Sequence, residues 1–420
     1  MPRGRNLSSL SICNVSVVDV LTGKTIPGQK VVVRGDKIFE ISSQKFPGQL
    51  EKGSIDGSNR YLSPGLIDTH VHFFLDGSDS PRQNFIAANE SERLAVARVN
   101  AEIALRSGIT TMRDLAAPGK LMFQLRREID SGEVLGPHVV CCGYAIMRPK
   151  GHCYWLGGIE VTTTKEMREA VLRQFREGSD YVKLMASGGG LTPGTFPHEA
   201  ALDIDLMREA VEVARDNGSY VTAHCHATES IERAINANLT MIEHATFAEP
   251  PGVYRYNSEI ASRVRDAGIV VVPTVFCALK NANKFEEEGK TYNPDDLGAV
   301  ERLRGRFINT HLFHEIGVIQ IAGTDCGAID AKFNTLVDEL LTYVQAGFSS
   351  AEALRSATSL AAEHICLENV GEVKTGSRAD LVLLDRDPLE DLDCLRFPNT
   401  VIKAGKVVYQ KMTKDQKRDK

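Results

Sequence analysis

The chain has 420 residues, enough at ~150 per domain for two or three domains, or for one barrel of about 250 residues with a companion. Hydrophobic residues make up 42% and charged ones 25%, with 49 Lys plus Arg against 55 Asp plus Glu and a formal net charge of −6. That balance excludes intrinsic disorder, a collagen-like repeat and a polybasic nucleic-acid binder.

From Leu7 to about Ile55 the runs SICNVSVVDV and KVVVRGDKIFEI read as strands, set off by the turn segments LTGKTIPGQ and RGD. After Gly376 the runs ADLVLLD and TVIKAGKVVYQ repeat that texture. Both ends of the chain therefore predict one small β unit, a β-sandwich domain of residues 1–60 and 366–420, flanking a middle of 61–365. The basic tail KMTKDQKRDK reads as a solvated end.

The middle has a different rhythm. Eight apolar strands, LIDTHVHF, ITTMRDL, HVVCCGY, YVKLMAS, YVTAHCHA, MIEHAT, VVVPT and VIQIAGTD, alternate with amphipathic stretches such as SERLAVARVNAEIALRSG and EMREAVLRQFREG. Several of those stretches close on Gly, as a helix C-terminus does. The alternation predicts the α/β class and a (β/α)8 barrel; no GxGxxG follows the first strand, which speaks against a dinucleotide-binding sheet. The charged insertion NANKFEEEGKTYNPDDLG reads as a solvated surface loop, with a lid as the alternative.

No window reaches ~18 uninterrupted apolar residues and the start lacks the apolar core of a secretory signal, so a cytoplasmic protein without a membrane partner is expected. Nine cysteines without a CxxC predict reduced thiols.

Barrel active sites lie at the C-terminal ends of the strands. There the sequence places His70 and His72, Lys183, His224 and His226, Glu243 and His244, and Asp325. Side chains alternate along a strand, so each HxH turns both imidazoles the same way. A single histidine in an apolar strand is more often a core residue, but here several strand ends agree. Neutral imidazoles with a carboxylate are a ligand set for Zn²⁺ or a similar divalent ion. A buried ammonium beside such ions would be repelled, whereas a neutral lysine can add CO2 to become a carbamate with two oxygens for two metals. The plain alternative for Lys183 is a pair with a nearby carboxylate.

The stretches LSPGLIDTHVHF, YVKLMASGG, TAHCHA, IEHATF, AGTDCG and GEVKTGSRADLVLLDRDPL together resemble the amidohydrolase superfamily, with imidazolonepropionase-like and prolidase-like members the nearest in pattern. The resemblance spans nearly the whole chain. It implies that His70 and His72 bind one metal, His224 and His244 the other, a CO2-derived carbamate on Lys183 bridges two divalent ions, zinc by preference, and Asp325 binds the first ion and handles protons. It further implies attack by a hydroxide bridging the ions, with Asp325 taking its proton and returning it to the leaving nitrogen. His152 falls where related enzymes contact the substrate carbonyl. Prolidase-like members carry a tyrosine, used to hold a substrate carboxylate, where this chain has His226.

Substrate contacts are expected from the loop AIMRPKGHCYWLGGIE, through Arg148, His152 and Tyr154, and from His226. Phe73, Phe74 and Phe276 are candidates for an aromatic wall, with ordinary packing as the alternative. SGGGLTPG lacks the GK[ST] of a phosphate loop and reads as a turn beside the site, and alternation turns Cys225 and Cys326 away from it. The expected function is hydrolysis of an amide-type C–N bond in a dipeptide, N-acyl amino acid or related amide, by a homo-oligomer. Hydrolysis of a xenobiotic aryl amide, carbamate or urea is the alternative. A deaminase is disfavoured by Lys183 and by Ala227, and a non-enzymatic scaffold by the complete ligand set.

Overall fold

The computed structural model describes residues 9–44, 50, 53–289 and 298–411 of a mixed α/β protein. Ser9–Asp19 pairs antiparallel with Lys24–Arg34 and parallel with Tyr61–Pro64, which pairs antiparallel with Leu381–Leu384 from the other end of the chain. Thr400–Lys403 and Lys406–Gln410 continue beyond Leu381–Leu384, so one 8-stranded sheet is built from both ends of the sequence. Its inward alternation buries Ile12, Val17, Val31, Leu62, Leu381 and Ile402 in one apolar cluster, the physical reason the two ends associate.

Between these ends the strands that carry the site run parallel, and Val253–Tyr254 adds a short antiparallel pairing to Met241–Glu249. Leu66–Val71, Ile109–Asp114 and His138–Cys141 are hydrogen-bonded in that order, as are Ala145–Met147, Val182–Met185, Val221–Ala227, Met241–Glu249 and Val270–Val272. The expected third strand is interrupted after Cys141, at Gly143 with φ +69, and resumes as Ala145–Met147. The expected eighth strand, VIQIAGTD, forms no ladder and contributes single bridges, Gln320 to Val271 and Cys326 to Val71. The cause is local: the Thr324 hydroxyl donates to Asp68 Oδ2 at 2.7 Å, and Asp325 sits at φ +60, which no regular strand holds.

The helices follow their sequence signals. Asn89 accepts from the backbone of Ser91 and Glu92 while Glu92 accepts from Asn89 N, a capping box worth about 1 kcal/mol that starts Glu90–Arg106. Thr164–Glu177 ends on Gly178 at φ +107, a left-handed position that glycine occupies without strain. The insertion NANKFEEEGKTYNPDDLG departs from expectation, because its first half is the end of helix Val275–Glu288. Ala278, Ala282 and Phe285 fall on one face and pack against Ala299 and Leu303 of helix Ala299–Ile316, and the charged residues that suggested a loop cover the other face. Residues 290–297, and 412–420 of the basic tail, lie outside the described residues. All nine cysteines are free, and among the described residues no helix is long and apolar enough to cross a membrane.

Candidate active site

The ionisable residues singled out in the sequence converge at the C-terminal ends of the parallel strands in two trios, buried except for the partly exposed Asp325. His70, His72 and Asp325 form the first, His224, His226 and His244 the second, and within each the potential ligand atoms lie within 4.8 Å of one another. The trios adjoin: the His70 and His244 rings are 5.0 Å apart.

In the first trio, Asp325 Oδ1 is 3.5 Å from His70 Nε2 and 3.3 Å from His72 Nε2. Its backbone places it there, with Asp325 N donating to His70 O at 2.8 Å. Buried Asp68 clamps the same two segments by accepting from His70 N, Thr324 N and Thr324 Oγ1, and burial pushes its carboxyl up to about 7. Burial alone would raise the Asp325 carboxyl as well, but His70 and His72 overcome it and hold it at about 2.

Each histidine with a short bond at one nitrogen has the other left for a ligand. His70 Nδ1 donates to Glu243 Oε2 at 2.7 Å, which bares Nε2. His226 Nδ1 is 2.8 Å from Thr246 Oγ1 and His244 Nδ1 is 2.9 Å from Thr274 Oγ1. His224 is reversed, with Nε2 donating to Gly188 O at 3.1 Å, which bares Nδ1. Such outer bonds fix ring orientation and tautomer in metal sites. Burial pushes the imidazoles of His224, His226 and His244 well below their ordinary value, so all three are neutral, the form that binds metal.

Glu243 was in view in the sequence but had no assigned role. In the structure it is fully buried and joins His70 to Arg113, whose Nη2 donates to Oε1 at 2.8 Å, while the Thr222 hydroxyl donates to the same oxygen at 2.6 Å. Glu243 and His244 are neighbours, and strict alternation would turn only one of them inward. His244 at φ +71 breaks the alternation and lets both serve the site. Glu243→Gln is expected to weaken metal binding about 10–100-fold. It should also cost about 3–5 kcal/mol of stability by leaving Arg113 buried without its counter-charge. A competition titration with a chelating dye and urea unfolding check both parts; unchanged metal affinity would remove the orienting role.

Lys183 is buried on Val182–Met185, beside the strand that carries His224, and its side-chain amine makes no hydrogen bond or ion pair among the described residues. Burial lowers the pKa of its amine, and Glu243 opposes that only in part. Neutral imidazoles with bare nitrogens, an ionised carboxylate and a buried amine without a partner are a donor set that fits divalent ions.

A cavity of about 100 Å³ opens onto both trios, lined by His152, His224, His226, His244 and Asp325 together with Arg302 and Arg306. The His152 ring stacks on His224 at 4.7 Å, and its Nδ1 is buried without a hydrogen-bond partner. A Cβ at Gly189 would lie 2.4 Å from that ring, which is why the glycine-rich turn after Lys183 is needed beside the site. Left-handed residues at Lys150 (φ +53) and Cys153 (φ +60) aim His152 inward alone. Arg148 instead pairs with Glu199 at 3.3 Å on the surface and Tyr154 is 41% exposed, so neither expected substrate contact reaches the cavity wall. Phe73 stacks on Phe333 in the core, Phe74 is buried there too, and Phe276 is outside the lining as well. Cys225 and Cys326 are buried in apolar clusters away from the cavity, Cys225 by alternation along its strand. Arg302, Arg306 and Cys277 were not anticipated; only their i, i+4 spacing marks the two arginines as one face of a helix.

The sequence profile of the amidohydrolase family matches residues 61–408. Ochratoxinase of Aspergillus niger is 26% identical over an alignment of 453 positions, covering 96% of this chain and 89% of that protein. A Xaa-Pro dipeptidase solved with methionine in its active site superposes with a TM-score of 0.86 at 26% identity, over 96% of this chain and 100% of its own. A prolidase solved with N-methylphosphonate-L-proline shares the fold, with a TM-score of 0.83 at 24% identity, over 96% and 100% of the two chains.

Proposed function

The chain belongs to the amidohydrolase family, and from that premise we propose that it hydrolyses an amide-type C–N bond of a dipeptide, N-acyl amino acid or related amide with two divalent ions, zinc in particular. The observation that carries this reading is the pair of adjoining trios, six potential ligands where one tetrahedral ion uses four. We also read residues 61–365 as a (β/α)8 barrel, corrected at its start because Tyr61–Pro64 belongs to the terminal sheet, and the terminal segments as a separate β-sandwich domain. Support comes from the succession of parallel pairings, joined at its ends by the bridges of Gln320 and Cys326.

His70, His72 and Asp325 would hold one ion, and His224 and His244 the other with His226 beside them. Lys183 would carry a carbamate that offers an oxygen to each. When bound, the ions lower the pKa of water to roughly 7 and polarise the scissile carbonyl. Asp325, ionised at neutral pH, takes the proton of the attacking water and returns it to the leaving nitrogen, which is a poor leaving group without it. His152, held down to about 3 by burial, is neutral and has one N–H to donate to the carbonyl oxygen as negative charge develops there.

The test is a screen of the zinc-loaded protein against N-acyl amino acids, dipeptides, aryl amides, ureas and aminopurines. Turnover of the first two classes is expected. Turnover confined to aryl amides and ureas would favour the xenobiotic reading, and ammonia release from aminopurines without amide cleavage would make the protein a deaminase.

A further inference from the structure

Helix Val275–Glu288 brings Cys277 and Ala278 to the cavity, so its first turn is part of the site wall. The residue before it, Thr274, is fully buried and sits at φ +51, a left-handed backbone that a β-branched residue rarely adopts. Threonine at the start of a helix ordinarily turns its hydroxyl to the amides of the first turn, and here it does not. The hydroxyl oxygen instead accepts from Arg306 Nη1 at 2.6 Å and lies 2.9 Å from His244 Nδ1. Two amides of that first turn are met from a residue far along the chain. Val275 N donates to Glu339 Oε1 at 2.8 Å and Phe276 N to Glu339 Oε2 at 2.7 Å.

Glu339 lies on helix Leu336–Gln345 and is fully buried, and its carboxyl group makes no other hydrogen bond and no ion pair among the described residues. Burial pushes it up to about 8 against the pull of the two amides, so the group is kept out of water at a cost. Capping by itself does not account for that cost, because Thr274 is a residue type that caps a helix without any buried acid. The two roles of the threonine need different backbones. A capping threonine is extended, with its hydroxyl over the first turn, whereas the left-handed Thr274 has its hydroxyl at His244. We infer that Glu339 is a positioning residue, which caps the helix in place of Thr274 and so releases the Thr274 hydroxyl to orient the His244 ring. Arg306, from helix Ala299–Ile316, completes the clamp by donating to the hydroxyl and to the carbonyl oxygen of Thr274, the latter at 3.2 Å. With Nδ1 held by the hydroxyl, His244 keeps Nε2 for a ligand, as outer hydrogen bonds arrange in metal sites. The inference rests on the hydrolase reading only for calling His244 a metal ligand.

The first readout is the nitrogen NMR spectrum of the histidine rings in the metal-free full chain, with the His244 signal identified by its loss in His244→Asn. Wild type is expected to carry the His244 proton on Nδ1. Thr274→Val, which keeps the shape and loses the hydroxyl, should abolish that preference, and Thr274→Ser should keep it. Glu339→Gln keeps the length and one acceptor but sets an NH2 against the second backbone N–H, whatever the charge of the native carboxyl. It should weaken the preference without moving the His70 signal, whose ring Glu243 holds. The second readout is zinc affinity by chelator competition, with unfolding temperature as the control on folding. Thr274→Val is expected to weaken one ion about 10–100-fold and Glu339→Gln about tenfold. The double variant should do no worse than Thr274→Val alone, because Glu339 acts through that hydroxyl, whereas a merely structural role would add its own loss. Glu339→Asp, whose carboxylate is too short to meet both amides, replaces Glu339→Gln if the latter does not fold. An unmoved His244 signal in the folded Glu339 variant, or a Glu339 effect on zinc that persists beside Thr274→Val, would overturn the inference. A His244 ring that responds as expected while zinc affinity stays unchanged would leave the positioning role standing and refute the metal assignment on which the hydrolase reading depends.

Discussion

Asp325→Asn is expected to lower kcat by on the order of 10²- to 10⁴-fold, the range of a lost general acid–base, while KM changes little. The amide keeps the shape and one oxygen towards His70 and His72, and the backbone bond from residue 325 to His70 O is untouched. It loses the capacity to accept a proton. No other described side chain in the cavity lining offers a carboxylate, and burial keeps the lining histidines neutral. Steady-state kinetics with metal analysis of the same sample check this, because loss of metal would mimic loss of the proton carrier. A variant that retains its metal and turns over within tenfold of wild type would show that another group moves the proton.

Lys183→Ala is expected to reduce activity to that of the metal-free protein and to remove one of two bound ions. An amine buried without a partner among the described residues is a poor structural element, and the carbamate turns a repelled cation into an anion that two metals can share. Short carboxylates such as acetate or propionate should restore part of the activity, since they return the missing oxygens without the tether. Intact-protein mass spectrometry under CO2-saturated conditions, beside metal analysis, provides the check. Full activity with both ions retained in Lys183→Ala would end the bridging role.

The metal-type residues were legible because strand alternation and strand-end position are local properties. His70 with His72, and His224 with His226, share a face by spacing alone, and Cys225 is turned away by the same rule. What stayed hidden depends on departures from regular geometry or on distance along the chain. Alternation treats Glu243 and His244 as opposites, and only the positive φ of His244 admits both. Arg113 meets Glu243 across 130 positions of sequence, a pairing that no spacing encodes. Arg148 and Tyr154 looked like substrate contacts because they neighbour His152, yet two left-handed residues between them send only His152 inward. The arginine wall was missed because Lys284, Glu286, Glu287 and Glu288 gave the preceding stretch the composition of a loop, whereas Ala278, Ala282 and Phe285 carried the helical spacing that packs it on Ala299–Ile316.

Titrating metal-stripped protein with zinc in the presence of bicarbonate, and following hydrolysis of N-acetyl-L-leucine together with bound zinc, tests the central claim most directly. The account predicts no turnover without metal and activity that rises to a break at two equivalents per chain. Full activity in the stripped protein would contradict it outright, and a break at one equivalent would contradict the two-ion site.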